Sequence, residues 1–159
     1  MTPAGNFSEA ILVENGKWAL KSAAGAVVRS TVNADEQWHH IVLSHYTARG
    51  ETLFFVDGKL AGRVSERLEP RRFVLGGPDS AGNPAAPPQS DYKDLLVYRS
   101  ALNADEAAAL ASNTLLQASL EVFAPLSDTA FAPESALENR AQSLSVLKVG
   151  EGRIAHAAR

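Results

Sequence analysis

The chain has 159 residues and carries 15 Lys and Arg against 18 Asp and Glu, a formal net charge of -3. That acidic balance, with no basic run, argues against generic binding to a nucleic-acid backbone, and no stretch reaches the roughly 20 apolar residues of a membrane-spanning helix. Cys is absent, which excludes disulfides, thiolate zinc sites and cysteine nucleophiles.

The opening residues Met1-Thr2-Pro3-Ala4-Gly5 have neither the charged nor the apolar region of a signal peptide. The chain therefore reads as cytoplasmic or as a piece of a longer protein. Short apolar runs separated by turn residues then follow, the pattern of an antiparallel sandwich or barrel. Phe7 to Val13 is a first strand. Asn15-Gly16 is a hairpin signal, because both central residues of a type I′ turn need positive φ. Residues 17–21 alternate polar and apolar as a return strand, and Ala26 to Ser30 forms a third. Trp38 to Tyr46 reads as a long strand and Glu51 to Val56 as the next. Asp57-Gly58 is a second type I′ signal, with Lys59 to Ser65 returning. Arg72 to Leu75 is a further strand.

Residues 77–90 hold four of the eight prolines and read as one long surface loop. Asp91 to Tyr98 is a strand. One short helix is expected near residues 103–112, where Asn103 caps, Glu106 sits three positions later, and an Ala-rich run follows. Over residues 114–159, Ser119 to Ala124 and Arg140 to Val149 read as C-terminal strands, the latter with Leu144, Val146 and the Lys148 stem on one face. The expected core includes Trp38, Val42, Phe55, Leu75, Leu96 and Tyr98.

Three segments carry a family resemblance. They are Trp38-His39-His40-Ile41-Val42-Leu43, Phe55-Val56-Asp57-Gly58-Lys59-Leu60, and the stretch from Tyr92 through Tyr98 and Ala101-Leu102 to Glu106. Taken in order, they resemble the W-H-H strand, the D-G-K hairpin and the penultimate strand with its short helix in laminin-G-like, or concanavalin A-like, jelly-roll domains. The resemblance implies an all-β antiparallel sandwich forming one domain over residues 1–159. Relatives carry about twice as much chain before the W-H-H strand, so the resemblance implies either that the chain is a fragment or that the front strands of the jelly roll are missing here. The C-terminal strands are expected to replace them by packing on the sandwich, with a dimer as the competing way to cover the gap. Many relatives hold a structural Ca²⁺ at the penultimate strand. Lys93 stands at the ligand position and an ammonium cannot ligate Ca²⁺, so no metal or other cofactor is expected.

The motifs bring no catalytic constellation. His39 and His40 are neighbours on an expected strand and so face apart, which prevents chelation of one ion. The E-x-D-x-x-E pattern of sandwich glycosidases, whose chemistry needs paired carboxylates, does not occur. Ser44 and His45 lack a nucleophile elbow. Glu66 and Glu69 lie among Arg63, Arg67, Arg71 and Arg72, a salt-bridged loop.

The function expected from the resemblance is therefore non-catalytic recognition, with carbohydrate as the partner, in a protein outside the cell or in its envelope. Trp18, Tyr46 and Tyr92 are the candidate ligand-binding residues. Their aromatic faces suit sugar C–H surfaces and their N–H and O–H groups add a polar handle. Trp38 has the same chemistry but is placed in the core. The rival reading is a structural module that docks on a neighbouring protein domain or a second copy. A degenerate glycosidase-like sandwich is a distant third.

Overall fold

A computed structural model describes residues 10–22, 24–66, 91–126 and 135–148. The chain divides into two compact units: Met1–Arg71 with Ala101–Leu116, and Arg72–Ser100 with Gln117–Arg159. The described structure is mostly β, all its strand pairs are antiparallel, and one α-helix accompanies them.

In the first unit the two sequence-marked turns close hairpins. Asn15 and Gly16 have φ of 52° and 71°, and Asp57 and Gly58 have 50° and 74°, the positive values that a type I′ turn requires. The first turn joins β1 (Ala10–Glu14) to β2 (Lys17–Lys21), and β3 (Val27–Asn33) completes a sheet of order β1-β2-β3. The second turn joins β5 (Glu51–Val56) to β6 (Lys59–Val64), with β4 (Ile41–Tyr46) on the other side of β5.

Strand β3 runs further than expected because it bulges against β2. Lys17 pairs with Asn33 while Ala19 pairs with Arg29. The buried Ser30 hydroxyl fills the bulge, donating to the Val32 carbonyl and accepting its N–H.

Both sheets contribute to one apolar cluster. Leu20 of β2 joins Phe54, Val56 and Val64 of β5 and β6, with Trp18, Val28, Val32 and Ile41 packed around them. Central strand β5 is buried on both sides, so Phe54 and Phe55 are both fully enclosed. Phe55 and Val42 are core residues as expected from sequence, whereas Phe54 is an addition. Trp38 is not a core residue: it is 58% exposed. The reason lies in the register. Ile41 pairs with Val56, the last residue of β5. Residues Trp38 to His40 therefore overhang the Asp57-Gly58 turn, with no ladder partner beyond it.

Helix α1 (Ala104–Ala111) has the capping box that the sequence marks. The Asn103 side chain accepts from the Glu106 N–H at 3.0 Å, and the Glu106 carboxylate accepts from the Asn103 N–H at 2.8 Å. The helix buries Ala107 and Leu110. It also meets the β5–β6 turn so closely that a Cβ on Gly58 would lie 2.9 Å from the Ala108 Cα.

The second unit is built on β7 (Leu95–Tyr98) paired with β8 (Leu120–Ala124). Its core is Val122, Ala124 and Leu126, with Leu95, Val97, Leu137 and Leu147 against them. Here the sequence-based faces are reversed. Leu95 and Val97, opposite Ala124 and Val122, pack against this cluster, whereas the expected Leu96 and Tyr98 do not belong to it; all four β7 residues are half-buried.

Residues 140–148 form no strand; only Lys148 bridges to Ala136. Leu144 and Val146 are exposed, Leu144 by 98%. An asparagine takes the place of the expected ladder. Asn139 Oδ1 accepts from the N–H groups of Phe123 and Ala141, and its Nδ2 donates to the carbonyls of Glu121 and Ser145. The segment is thus bound to β8 through a side chain, which frees the backbone from strand geometry. The expected loop over 77–90, the strand over Arg72 to Leu75, Leu75 itself and the start of the first strand lie outside the described residues.

Candidate functional site

The overhang at Trp38-His39-His40 is held by one side chain of the neighbouring hairpin. The Asp57 N–H donates to the His40 carbonyl at 2.8 Å, the last backbone bond beyond β4 and β5. The Asp57 carboxylate then continues where the ladder stops. Oδ1 accepts the His40 N–H at 2.9 Å, and Oδ2 lies 2.9 Å from His39 Nδ1. On the far side of the ring, His39 Nε2 lies 3.2 Å from Asp35 Oδ1, which also accepts the Gln37 N–H at 2.8 Å. His39 is therefore clamped between the hairpin and the loop that leads into Trp38.

This geometry favours the protonated ring. Ionised carboxylates only accept hydrogen bonds, and a neutral imidazole has one N–H. Two carboxylate contacts, one on each nitrogen, are both satisfied as hydrogen bonds only by the imidazolium. The electrostatics agree. Burial of the ring, whose side chain is 8% exposed, pulls the His39 pKa down. Hydrogen bonds to Asp57 and then Asp35, together with their charges, outweigh that effect and raise it above the usual histidine value. His40 goes the other way: burial lowers its pKa, with the Asp57 charge opposing. Its Nδ1 is buried without a hydrogen-bond partner, as suits a ring kept neutral. The Asp35 carboxyl is held below its usual value, first by the Gln37 N–H and then, against a smaller cost of desolvation, by His39.

His39 and His40 do not alternate across a sheet as the sequence suggested, because neither lies in a strand; both residues are half-buried. Trp38 beside them is exposed, as are Asp35, Glu36 and Gln37. The site thus offers a large aromatic surface next to carboxylate and amide groups.

The three residues singled out from sequence lie elsewhere. Trp18 is half-buried against the apolar cluster, with its Nε1 enclosed and its ring edge-on to His39 at 5.6 Å between centroids. It supports the clamp from below rather than facing outward. Tyr46 donates its hydroxyl to the Leu102 carbonyl at 3.1 Å and carries the Arg49 guanidinium over its ring at 5.6 Å. Tyr92 is exposed, between the exposed Asp91 and Lys93, but it belongs to the second unit. The structure therefore describes no single surface made from the three.

Sequence reasoning missed Asp57 and Asp35 as partners of His39. The signal was present: an Asp-Gly turn whose first strand pairs with the strand after a His-His pair sets its carboxylate beside that pair.

No protein-family profile matches this chain, and no curated protein matches it. Among solved structures it is similar to an S-layer domain-containing protein from Clostridium thermocellum, at a TM-score of 0.42 and 15% identity, over 70% of this chain and 66% of that one. The chain thus spans slightly less than two thirds of that protein's length in the structure. A TM-score of that size identifies no shared fold.

Proposed function

We propose that this chain is a non-catalytic recognition module that binds carbohydrate, with Trp38 as its stacking platform. The observation that carries this reading is the exposure of Trp38 beside Asp35, Glu36 and Gln37. An aromatic face suits the C–H surface of a sugar ring, and neighbouring carboxylate and amide groups can bond its hydroxyls. The polar groups of the adjoining segments are engaged in structural work. The Ser44 hydroxyl is spent on the Leu102 backbone, and the Asp57 carboxylate on His39 and His40.

The fold proposed with this function is the laminin-G-like, or concanavalin A-like, sandwich. Its support is that the first two resembling segments and the stretch from Ala101-Leu102 to Glu106 that ends the third meet in the first unit, whereas Tyr92 to Tyr98 of the third segment belong to the second. The His39-His40 pair bonds Asp57, Gly58 abuts Ala108, and Leu102 bonds Ser44. A place outside the cell or in its envelope accompanies that assignment.

The rival reading, docking on a neighbouring domain or a second copy, draws on Ile11 and Val13, both exposed on β1. An edge strand with apolar side chains invites pairing. A glycan array probed with the wild type and Trp38→Ala, with and without Ca²⁺, tests the first reading. Specific glycan signals that vanish in W38A support it. An array without signal, combined with a mass that doubles with concentration and returns to monomer in Val13→Lys, selects the rival.

A further inference from the structure

The His39 clamp does more than fix a turn. The Asp35 carboxylate is tied to the β5–β6 hairpin through one ring, while the preceding residue is held independently, the Ala34 N–H donating to the Gly16 carbonyl at 2.9 Å. On one side Asp57 is anchored twice more, by its own N–H to the His40 carbonyl and by the His40 N–H to its Oδ1. On the other side Asp35 is exposed over 53% of its side chain and meets the ring at the longer distance, 3.2 Å against 2.9 Å. The two ends of the clamp are therefore unequal.

We propose that His39 is a proton-operated latch, holding the Asp35 loop and Trp38 in place while the ring is an imidazolium and releasing them when it becomes neutral. A neutral ring keeps one N–H. It stays with Asp57, the nearer and better anchored partner, and Nε2 becomes an acceptor facing the Asp35 carboxylate. Two acceptors repel, so the bond to Asp35 is lost. The Asx bond from Asp35 to the Gln37 N–H survives, since it does not involve the ring, but its tie to the hairpin is gone.

Among the described residues the charged and titratable groups on the surrounding elements are few. Asp35 and Glu36 lie on the loop, His40 follows in the chain, and Asp57 and Lys59 lie on the hairpin. Lys17 precedes Trp18, but its Nζ is held by the Thr31 carbonyl and Asn33 Oδ1. The charges that bear on the ring are those of Asp57 and Asp35. The raised pKa places the release above the ordinary histidine value of 6.5. A ligand that stacks on Trp38 would accordingly bind more tightly on the acidic side. That consequence rests on the carbohydrate reading, whereas the latch itself does not.

The test reads the latch directly. The Trp38 indole N–H is followed by NMR from about pH 5 to about pH 9 in the presence of a neutral gadolinium chelate, with Trp38→Phe assigning the resonance. The expected result is a rise in broadening through a one-proton step with its midpoint above 6.5, coincident with the titration of the His39 ring. The step is absent in Asp35→Asn and in His39→Gln. D35N still accepts the Gln37 N–H at an exposed position, so it keeps the loop folded. Broadening that stays flat in the wild type, or a step that persists unchanged in D35N, overturns the proposal. Glycan arrays at the two ends of the range form a separate arm. Silence at both ends defeats the carbohydrate reading and leaves the latch to be judged by the indole resonance. Signals of equal strength at both ends, with the NMR step present, defeat the coupling of latch to ligand.

Discussion

Ser44 and Leu102, 58 residues apart, share two hydrogen bonds through one hydroxyl. The Ser44 hydroxyl donates to the Leu102 carbonyl at 2.7 Å and accepts its N–H at 2.7 Å. The site is buried, so no water stands ready to replace either bond. This is how the residues before α1 are fixed to β4.

Ser44→Ala leaves the Leu102 N–H without that partner, while Tyr46 still serves the carbonyl. A buried group left unsatisfied costs about 1–3 kcal/mol, and urea denaturation should show a loss in that range. Adding Tyr46→Phe to the first change should cost more than the sum of the two single losses, because the carbonyl then loses its second donor. Strict additivity would mean that the two hydroxyls do not share the load.

Two glycines with nearly the same φ separate backbone strain from crowding. Gly16 and Gly58 stand at +71° and +74°, yet a Cβ on Gly16 meets nothing within 4 Å while one on Gly58 strikes the Ala108 backbone. Gly16→Ala should cost about 1–2 kcal/mol, the left-handed penalty alone. Gly58→Ala should cost distinctly more, because the neighbour is a helix backbone that cannot rotate away. Equal losses by chemical denaturation would show that α1 does not rest on the turn.

The two histidines should give stability a maximum near pH 6.5. His39 has a raised folded pKa, so its contribution is complete below the unfolded value of 6.5 and is lost as pH rises through the folded value. His40 has a lowered folded pKa, so the unfolded chain takes its proton first and stability falls as pH drops below 6.5. Melting temperatures across this range should fall on both sides. His39→Gln should flatten the alkaline limb and His40→Gln the acidic one. A single limb responding to both variants would refute the separation.

In the second unit, Asn139→Ala should release residues 138–145 from β8. Hydrogen exchange should accelerate at Phe123 and Ala141, whose N–H groups bond the amide oxygen. The backbone bond from the Arg140 N–H to the Phe123 carbonyl should weaken with them. Exchange in β4 and β5 should stay as it was; a uniform acceleration would mean that the asparagine supports the whole chain.

Much of the strand order was legible because local chemistry dictated it. Asn15-Gly16 and Asp57-Gly58 demand tight turns, and Asn103 with Glu106 demands a helix start; none of these depends on distant partners. What failed depended on pairing. Trp38 looks like a strand residue in isolation, but its exposure follows from β5 turning at Asp57, which only the register shows. Leu96 and Leu95 are equally apolar, and the choice between them was made by Val122 and Ala124 across the ladder. The segment after Asn139 alternates like a strand, yet a side chain with four backbone bonds outcompeted the ladder. The clamp on His39 was hidden for the same reason: it joins residues 35, 39 and 57, and only the fold brings them together.

The interleaving of the two units sets a schedule for synthesis. The first unit consists of Met1–Arg71 and Ala101–Leu116, with part of the second encoded in between. Strand β4 leaves the ribosome long before its partner at Leu102. At roughly 5–20 residues per second, Ser44 waits about 3–12 s for the backbone that satisfies it. During that interval the face later bonded by Leu102 and flanked by α1 is open to other chains. Nascent copies are therefore most exposed to chaperones, and to one another on a crowded polysome, while residues between Arg72 and Ser100 are being made.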